Sequence, residues 1–140
     1  MSTPSPWAHF SMEELTCKCG CGQMKMDDGF MKKMVKIREL YNKSLTVTSG
    51  YRCPAHNSDP SVAHTGAEGP HTTGRAIDIA ISGAEAYGLL KAAMMVGGVY
   101  GFGLNQIGDH SKRFVHIDDL TAQDKKSDGT PNPRPGVWTY

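Results

Sequence analysis

The sequence predicts an α+β domain in which a small antiparallel sheet is covered by helices, and two patterns carry this prediction. Short stretches with alternating apolar and β-branched residues, at 45–49, 76–81 and 113–118, are typical of strands that bury one face. Two longer stretches, at 28–42 and 83–96, repeat apolar residues every three or four positions, as amphipathic helices do. The length of 140 residues is that of one domain with one hydrophobic core.

Local signals support the individual elements. Ser11 and Glu14 form a capping box that starts a short helix. In the first long helix, Met31 and Met34 belong to the apolar stripe, and we interpret them as core residues rather than as a soft-metal patch. A segment interrupted by glycines, at 99–104, predicts one more strand.

Composition excludes several classes of partner. Hydrophobic residues make up 39% and charged residues 21%, and the formal net charge of +1 provides no electrostatic footprint for nucleic acid. No run approaches the about 20 apolar residues that a membrane-spanning helix needs. We therefore expect no nucleic-acid partner and no membrane insertion. We also expect a monomer. Residues 1–9 are rich in serine and proline and are expected to form a flexible arm, which leaves 10–140 as the domain.

Four cysteines, Cys17, Cys19, Cys21 and Cys53, include a tight C-x-C-x-C cluster. One interpretation is a second, structural metal site, although one-residue spacings fit a zinc knuckle less well than spacings of two to four residues. The alternatives are reduced thiols packed near a surface loop, or a disulfide bridge from the cluster to Cys53. Because geometry decides among these states, the sequence leaves all three open.

Three residues predict a catalytic metal site on one face of the sheet. His71 lies in a loop shortly before the strand at 76–81, and Asp78 is the charged residue on the polar face of that strand. His116 alternates with apolar residues in the last predicted strand, so it also faces away from the core. Pairing of these strands would bring two imidazoles and a carboxylate together, with a fourth position open for water. The alternative is that Asp78 pairs with Arg75 and that both histidines are ordinary residues.

Several motifs occur in a fixed order along nearly the whole chain, from about residue 10 to residue 140. They are S-G-Y-R at 49–52, H-N at 56–57, H-x-x-G-R-A-x-D-I at 71–79 and F-V-H-I-D at 114–118, with Trp138 near the end. This ordered set resembles the zinc D-alanyl-D-alanine carboxypeptidase family. That family also contains cell-wall endopeptidases, phage endolysin peptidases and vancomycin-resistance dipeptidases, and its fold is shared by the signalling domain of hedgehog proteins.

The resemblance implies a fold, a cofactor and a reaction. It implies a hedgehog-like α+β fold and a Zn²⁺ cofactor, with His71, Asp78 and His116 at the metal-binding positions. It also places Arg52 on an arginine that lines the substrate site, where the cation would stabilise an oxyanion or bind a substrate carboxylate. The implied activity is that of a D,D-carboxypeptidase or endopeptidase. Such an enzyme uses metal-activated water to hydrolyse an amide bond in peptidoglycan stem peptides or crosslinks.

The group that shuttles the proton departs from the family pattern. In the dipeptidase branch it is a glutamate three residues before the last histidine ligand, and that position is Arg113 here. Our candidate for the general base is Asp118, because two residues along a strand return it to the face of His116. The alternative is that Asp118 orients His116. His64 and Glu68, in the long loop before residue 70, are further candidates for lining the substrate cleft.

Two other functions stay open, a non-catalytic zinc-containing binding module and a phage structural component that keeps the peptidase fold. Arg52 and a candidate base favour the peptidase, since a site without activity would be free to lose both. The N-terminus shows no charged leader followed by an apolar core. We therefore expect a phage lysis enzyme made in the bacterial cytoplasm and released to the cell wall. A periplasmic or extracellular domain whose leader has been removed is the other expectation.

Overall fold

The computed structural model describes residues 2–140, which form four α-helices and one five-stranded sheet. The helices are α1 (Met12–Leu15), α2 (Asp28–Tyr41), α3 (Pro54–Asn57) and α4 (Gly83–Val96). The strands are β1 (Thr46–Ser49), β2 (Ala76–Ala80), β3 (Gly101–Asn105), β4 (Phe114–Asp118) and β5 (Gly136–Thr139). Two 3₁₀ turns, Pro70–Thr73 and His110–Lys112, precede β2 and β4. Within the described chain, no helix is both long enough and apolar enough to cross a bilayer.

Helices α1 and α2 begin at residues that cap them. The Ser11 hydroxyl accepts the Glu14 N–H at 3.3 Å, and the Glu14 carboxylate accepts the Ser11 N–H at 3.1 Å, so the predicted capping box is confirmed. Asp27 caps α2 by accepting the Phe30 N–H at 2.9 Å. That helix ends where Asn42 adopts the left-handed conformation, as many helix C-termini do.

The sheet has the order β1-β2-β4-β3-β5, in which neighbouring strands are antiparallel except for β3 and β5. The α+β prediction is confirmed, but the sheet is mixed rather than wholly antiparallel. Strand β5 was not predicted, because its four residues follow a proline-rich segment and show no long alternation. Asp118 at the end of β4 and Gly136 at the start of β5 both pair with Gly101, so the excursion over residues 119–135 passes the start of β3 and β5 runs parallel to that strand.

One hydrophobic core joins the sheet to α2 and α4. Ile77 and Ile79 of β2 are fully buried, as are Val115 and Ile117 of β4. Their partners from the two helices are Phe30, Met31, Met34, Ile37, Leu89 and Ala93. The two methionines of the apolar stripe therefore belong to the core, as the helical spacing predicted.

Strand register places the candidate site residues on the face opposite this core. Asp78 of β2 pairs directly with His116 of β4, and Asp118 lies two residues farther along β4. On the next strand, Gly103 pairs with His116 and Gly101 pairs with Asp118. Because the side chains of directly paired residues lie on the same face, Asp78, His116 and Asp118 share one face, in agreement with the alternation.

Two segments differ in detail from the sequence expectations. The long loop after β1 contains the short helix α3, which was not predicted and whose N-cap is Cys53. The expected arm contacts the domain at several points: for example, Thr3 N donates to Glu13 at 2.9 Å and Trp7 Nε1 donates to Asp28 at 2.9 Å. The mobility expected for residues 1–9 stays a prediction.

Gly74 links the turn that carries His71 to strand β2, and two constraints act on it. Its φ of +74° lies in the left-handed region, which glycine adopts without steric cost. A Cβ atom at this position would also collide with the backbone carbonyl oxygen of Lys25. The close approach is stabilised by a hydrogen bond from Asp27 N to Gly74 O at 2.8 Å.

We expect Gly74→Ala to lower the free energy of unfolding by more than the about 1–2 kcal/mol that a left-handed alanine alone costs. The matched control is Gly129→Ala, because Gly129 has a φ of +86° but no atom within 4 Å of an added Cβ. Urea unfolding of both variants measures the difference. Equal losses of stability would show that the contact with Lys25 is unimportant.

Candidate metal centre

Three buried side chains meet on the face of the sheet opposite the core. His71 Nε2 lies 3.2 Å from Asp78 Oδ1, and His116 Nδ1 lies 2.9 Å from the same oxygen. His71 is 4% exposed, Asp78 is 7% exposed and His116 is 3% exposed. One ligand atom from each lies within 4.8 Å of the others. The structure thus brings together the three residues that the sequence predicted as ligands.

The far nitrogen of each imidazole has a partner that determines which nitrogen carries the proton. His71 Nδ1 lies 2.7 Å from the Gly50 carbonyl oxygen, and His116 Nε2 lies 2.8 Å from Asp118 Oδ2. A carbonyl or carboxylate oxygen only accepts, so these two nitrogens are the N–H donors. In the neutral rings, His71 Nε2 and His116 Nδ1 are therefore the nitrogens whose lone pairs face Asp78 Oδ1.

Three electron-pair donors that converge in this way need a proton or a cation between them. Two imidazole nitrogens and one carboxylate oxygen form a donor set that zinc takes in catalytic sites, where a fourth position stays open. A hydrogen bond on the far side of each histidine is also typical of metal-binding histidines. The residues present therefore fit a zinc ion.

Burial and neighbouring charges shift the pKa values of the three groups in different directions. Burial raises the pKa of Asp78, but the adjacent His71 and His116 outweigh it and hold that pKa well below its usual range. Burial lowers the pKa of His71 despite the nearby Asp78. Burial also opposes the charge on His116, yet hydrogen bonds to Asp118 and Asp78 raise its pKa. His116 thus lies between two carboxylates, a position that favours positive charge.

Asp118 contacts the side of His116 that faces away from Asp78. Its carboxylate is completely buried and accepts two hydrogen bonds from Arg134, from Nε at 2.9 Å and from Nη2 at 2.7 Å. Burial raises the pKa of Asp118, but these contacts with Arg134 and His116 outweigh it and lower that pKa. This is the orienting arrangement that the sequence left open beside the general-base role, which stays a prediction.

Sequence reasoning missed Arg134, which lies in the proline-rich tail. The signal for it was the glycine spacing in β3, because a Cβ at Gly101 would collide with Asp118 Oδ1 and would lie 2.5 Å from Arg134 Nε. A Cβ at Gly103 would similarly lie 2.6 Å from Trp138 Nε1. The two glycines leave room for side chains that cross β3 to reach the site.

Arg52 is held beside Asp78 by three side chains. Its Nη2 donates to Asp78 Oδ2 at 3.2 Å, its Nε to Ser49 Oγ at 3.0 Å and its Nη1 to Asn57 Oδ1 at 3.3 Å. The Arg52 side chain is 13% exposed. The guanidinium is thus fixed at the edge of the candidate metal site by side-chain hydrogen bonds.

A pocket of about 570 Å³ opens onto the three converging side chains, within the size range of ligand sites. Arg52 lines one side, and His64 and Glu68 from the long loop also line it, as the sequence suggested. Arg113 instead donates to the Gly108 carbonyl oxygen at 2.9 Å and is not among the lining residues. Other lining residues come from β4 and the tail: Phe114, Lys125, Lys126, Arg134, Trp138 and Tyr140.

The tail places aromatic and cationic groups next to the site. The Trp138 ring lies 5.3 Å from the His116 ring, and the Arg134 guanidinium lies 4.6 Å from the Trp138 ring centroid. Lys125 and Lys126 are exposed, and neither forms a salt bridge within residues 2–140. Two lysine ammonium groups outside any such salt bridge thus line the pocket, together with the carboxylate of Glu68.

Comparison with known proteins agrees with this geometry. A family model described as Peptidase M15 matches residues 8–118, which is more than half of the chain. The matched span contains the three converging side chains together with Arg52 and Asp118, and it ends before Arg134. No curated protein and no solved structure matches the chain. The chain belongs to the Peptidase M15 family, the zinc D-alanyl-D-alanine carboxypeptidase family that its motifs resemble.

Proposed function

We propose that this peptidase is zinc-dependent and hydrolyses an amide bond in peptides of bacterial peptidoglycan. The observation that carries the proposal is the convergence of His71 Nε2, Asp78 Oδ1 and His116 Nδ1 at the pocket. The class of enzyme follows from the family, and the metal and the substrate are what we add to it. Either a D,D-carboxypeptidase or a crosslink endopeptidase is compatible with this site.

His71, Asp78 and His116 would hold the zinc. A zinc ion with such ligands polarises a carbonyl group and lowers the pKa of a water molecule to about 7, which amide hydrolysis at neutral pH requires. Arg52 places a fixed cation at the pocket edge, where it can bind a substrate carboxylate or stabilise negative charge that develops on the scissile carbonyl oxygen. Its hydrogen bonds to Ser49 and Asn57 orient the guanidinium before substrate binds.

We further propose that Asp118 is a positioning residue. Its contact with His116 Nε2 keeps the proton on that nitrogen and leaves Nδ1 free to bind the metal. Arg134 holds the carboxylate by a bidentate pair, which restricts rotation of the Asp118 side chain. The pocket wall itself offers His64 and Glu68 as groups that could exchange protons with a bound peptide.

The pocket lining supports a short anionic peptide as substrate. Lys125 and Lys126 can pair with carboxylates, and peptidoglycan stem peptides carry free carboxylates along a short chain. Phe114, Trp138 and Tyr140 provide apolar surface for the peptide backbone and its small side chains. The same contacts would serve a binding module, so activity on muropeptides decides between the two functions.

We expect His116→Ala to lose one equivalent of zinc per chain, because two remaining ligands do not close the site. Elemental analysis of the purified protein measures this loss. The matched control is His110→Ala, since His110 is exposed and does not line the pocket. If His116→Ala keeps as much zinc as the control, the ligand assignment is wrong.

We expect the zinc-loaded protein to shorten stem peptides or to split crosslinks in a muropeptide digest, which mass analysis of the products detects. His116→Ala should leave the digest unchanged, and His110→Ala should act like the unmodified chain. The mass lost identifies the bond that is cleaved. Intact muropeptides after treatment with the zinc-loaded protein would favour a binding module or a structural component instead.

We expect Asp118→Asn to weaken zinc binding by about 10–100-fold, because His116 Nε2 then faces a neutral amide in place of the charged carboxylate that Arg134 holds against it. At saturating zinc, the remaining turnover should keep the acidic limb of its pH profile. Loss of a general base has a different signature: normal zinc affinity, turnover lower by about 10²–10⁴-fold and no acidic limb. That second result would contradict the positioning role and establish Asp118 as the base. Arg52→Ala is the comparison variant, since it should lower turnover without releasing zinc.

A further inference from the structure

Four thiols meet at a second place in the chain, apart from the histidine and aspartate cluster. Cys17 Sγ lies 3.5 Å from Cys19 Sγ, and Cys19 Sγ lies 3.6 Å from Cys53 Sγ. With Cys21 they form a group whose four sulfurs all lie within 4.8 Å of one another. In a tetrahedral zinc site with bonds of about 2.3 Å, neighbouring sulfurs are about 3.8 Å apart. Disulfide sulfurs, by contrast, are about 2.05 Å apart.

Hydrogen-bond donors surround this thiol cluster, which we define as Cys17, Cys19, Cys21 and Cys53. Cys53 N donates to Cys17 Sγ at 3.3 Å, and His56 N donates to Cys53 Sγ at 3.4 Å. His56 Nδ1 lies 3.3 Å from Cys17 Sγ. Such donors stabilise thiolate ligands and hold them in place, as the outer contacts of metal sites do.

The loop conformation brings the cysteine sulfurs together despite the one-residue spacings, which are unusual for a zinc knuckle. Gly20, between two of the cysteines, has a φ of +91°, so the chain reverses within the cluster. Cys17 N donates to Gln23 O at 2.9 Å, which closes the loop that carries the three clustered cysteines. The fourth thiol, Cys53, comes from the segment after β1, 36 residues beyond Cys17. The four ligands therefore come from two segments, as in many closed structural sites.

We propose that the thiol cluster binds a second zinc ion as a closed, structural site. Four thiolates leave no open position for substrate, and soft sulfur ligands in a tetrahedron select zinc among the common divalent metals. The proposal does not rest on peptidase activity or on zinc binding by His71, Asp78 and His116.

A metal at the thiol cluster would also support the pocket. Cys53 is the N-cap of α3 and directly follows Arg52, and Asn57 at the end of α3 accepts a hydrogen bond from Arg52. The thiol cluster would thereby anchor Cys53, which follows Arg52 in the chain, and helix α3, whose Asn57 orients the Arg52 guanidinium. Loss of the metal should increase the mobility of residues 52–57 more than that of the strands.

Metal analysis of the whole chain tests the proposal. We expect the unmodified chain to bind two equivalents of zinc. Cys19→Ser and His116→Ala should each bind one equivalent. Lys18→Ser is the matched control, because Lys18 is an exposed neighbour in the same loop, and it should keep both. A His116→Ala chain that binds no zinc, or a Cys19→Ser chain that keeps as much zinc as the unmodified chain, overturns the proposal. Iron in place of zinc overturns the identity of the metal.

Cobalt substitution provides a readout that does not require the cysteine variant to fold. In His116→Ala, cobalt(II) at the thiol cluster should show intense thiolate-to-metal charge-transfer absorption in the near ultraviolet. Four free thiols should appear after chelation and denaturation without reductant. Absence of that absorption would show that the cysteines are reduced thiols that bind no metal. A chain mass lower by two hydrogens for each bridge would show that they form disulfides instead.

Discussion

The antiparallel pairing of β2 with β4, in the register that opposes Asp78 to His116, is the constraint on which the rest of the structure depends. One face of this pair supplies Ile77, Ile79, Val115 and Ile117 to the core, and the other supplies the candidate ligands. Because side chains alternate along a strand, a shift by one residue would exchange the two sets. Burial of the apolar face therefore also holds the polar site in register.

Register alone does not orient the imidazoles, and the surrounding chain does so from two sides. The Gly50 carbonyl holds His71, and Asp118 holds His116. Asp118 is in turn paired with Arg134, which reaches it past the open space at Gly101. The geometry of the site thus depends on how the tail packs on the sheet as β5. A change far along the sequence can alter the metal site through this chain of contacts.

Two segments border the pocket, one at Arg52 and α3 and one in the C-terminal tail. On one side the thiol cluster lies next to Arg52 and α3, and on the other the tail brings Arg134 and Trp138. Arg52 and Arg134 each pair with a buried aspartate, so two cations offset the cost of placing Asp78 and Asp118 away from water. The remaining positive charge, on Lys125 and Lys126, faces the pocket and is available to a ligand.

The sequence by itself determined the features that local periodicity controls: helices α2 and α4, the capping box at Ser11, and the faces on which Asp78 and His116 lie. Its ordered motifs also indicated the family. Only the tertiary structure decided that β5 runs parallel to β3, that Asp118 contacts the far nitrogen of His116, and that Arg134 pairs with Asp118. These features depend on contacts between distant segments and on which of several partners a side chain reaches, and neither leaves a periodic signal in the sequence.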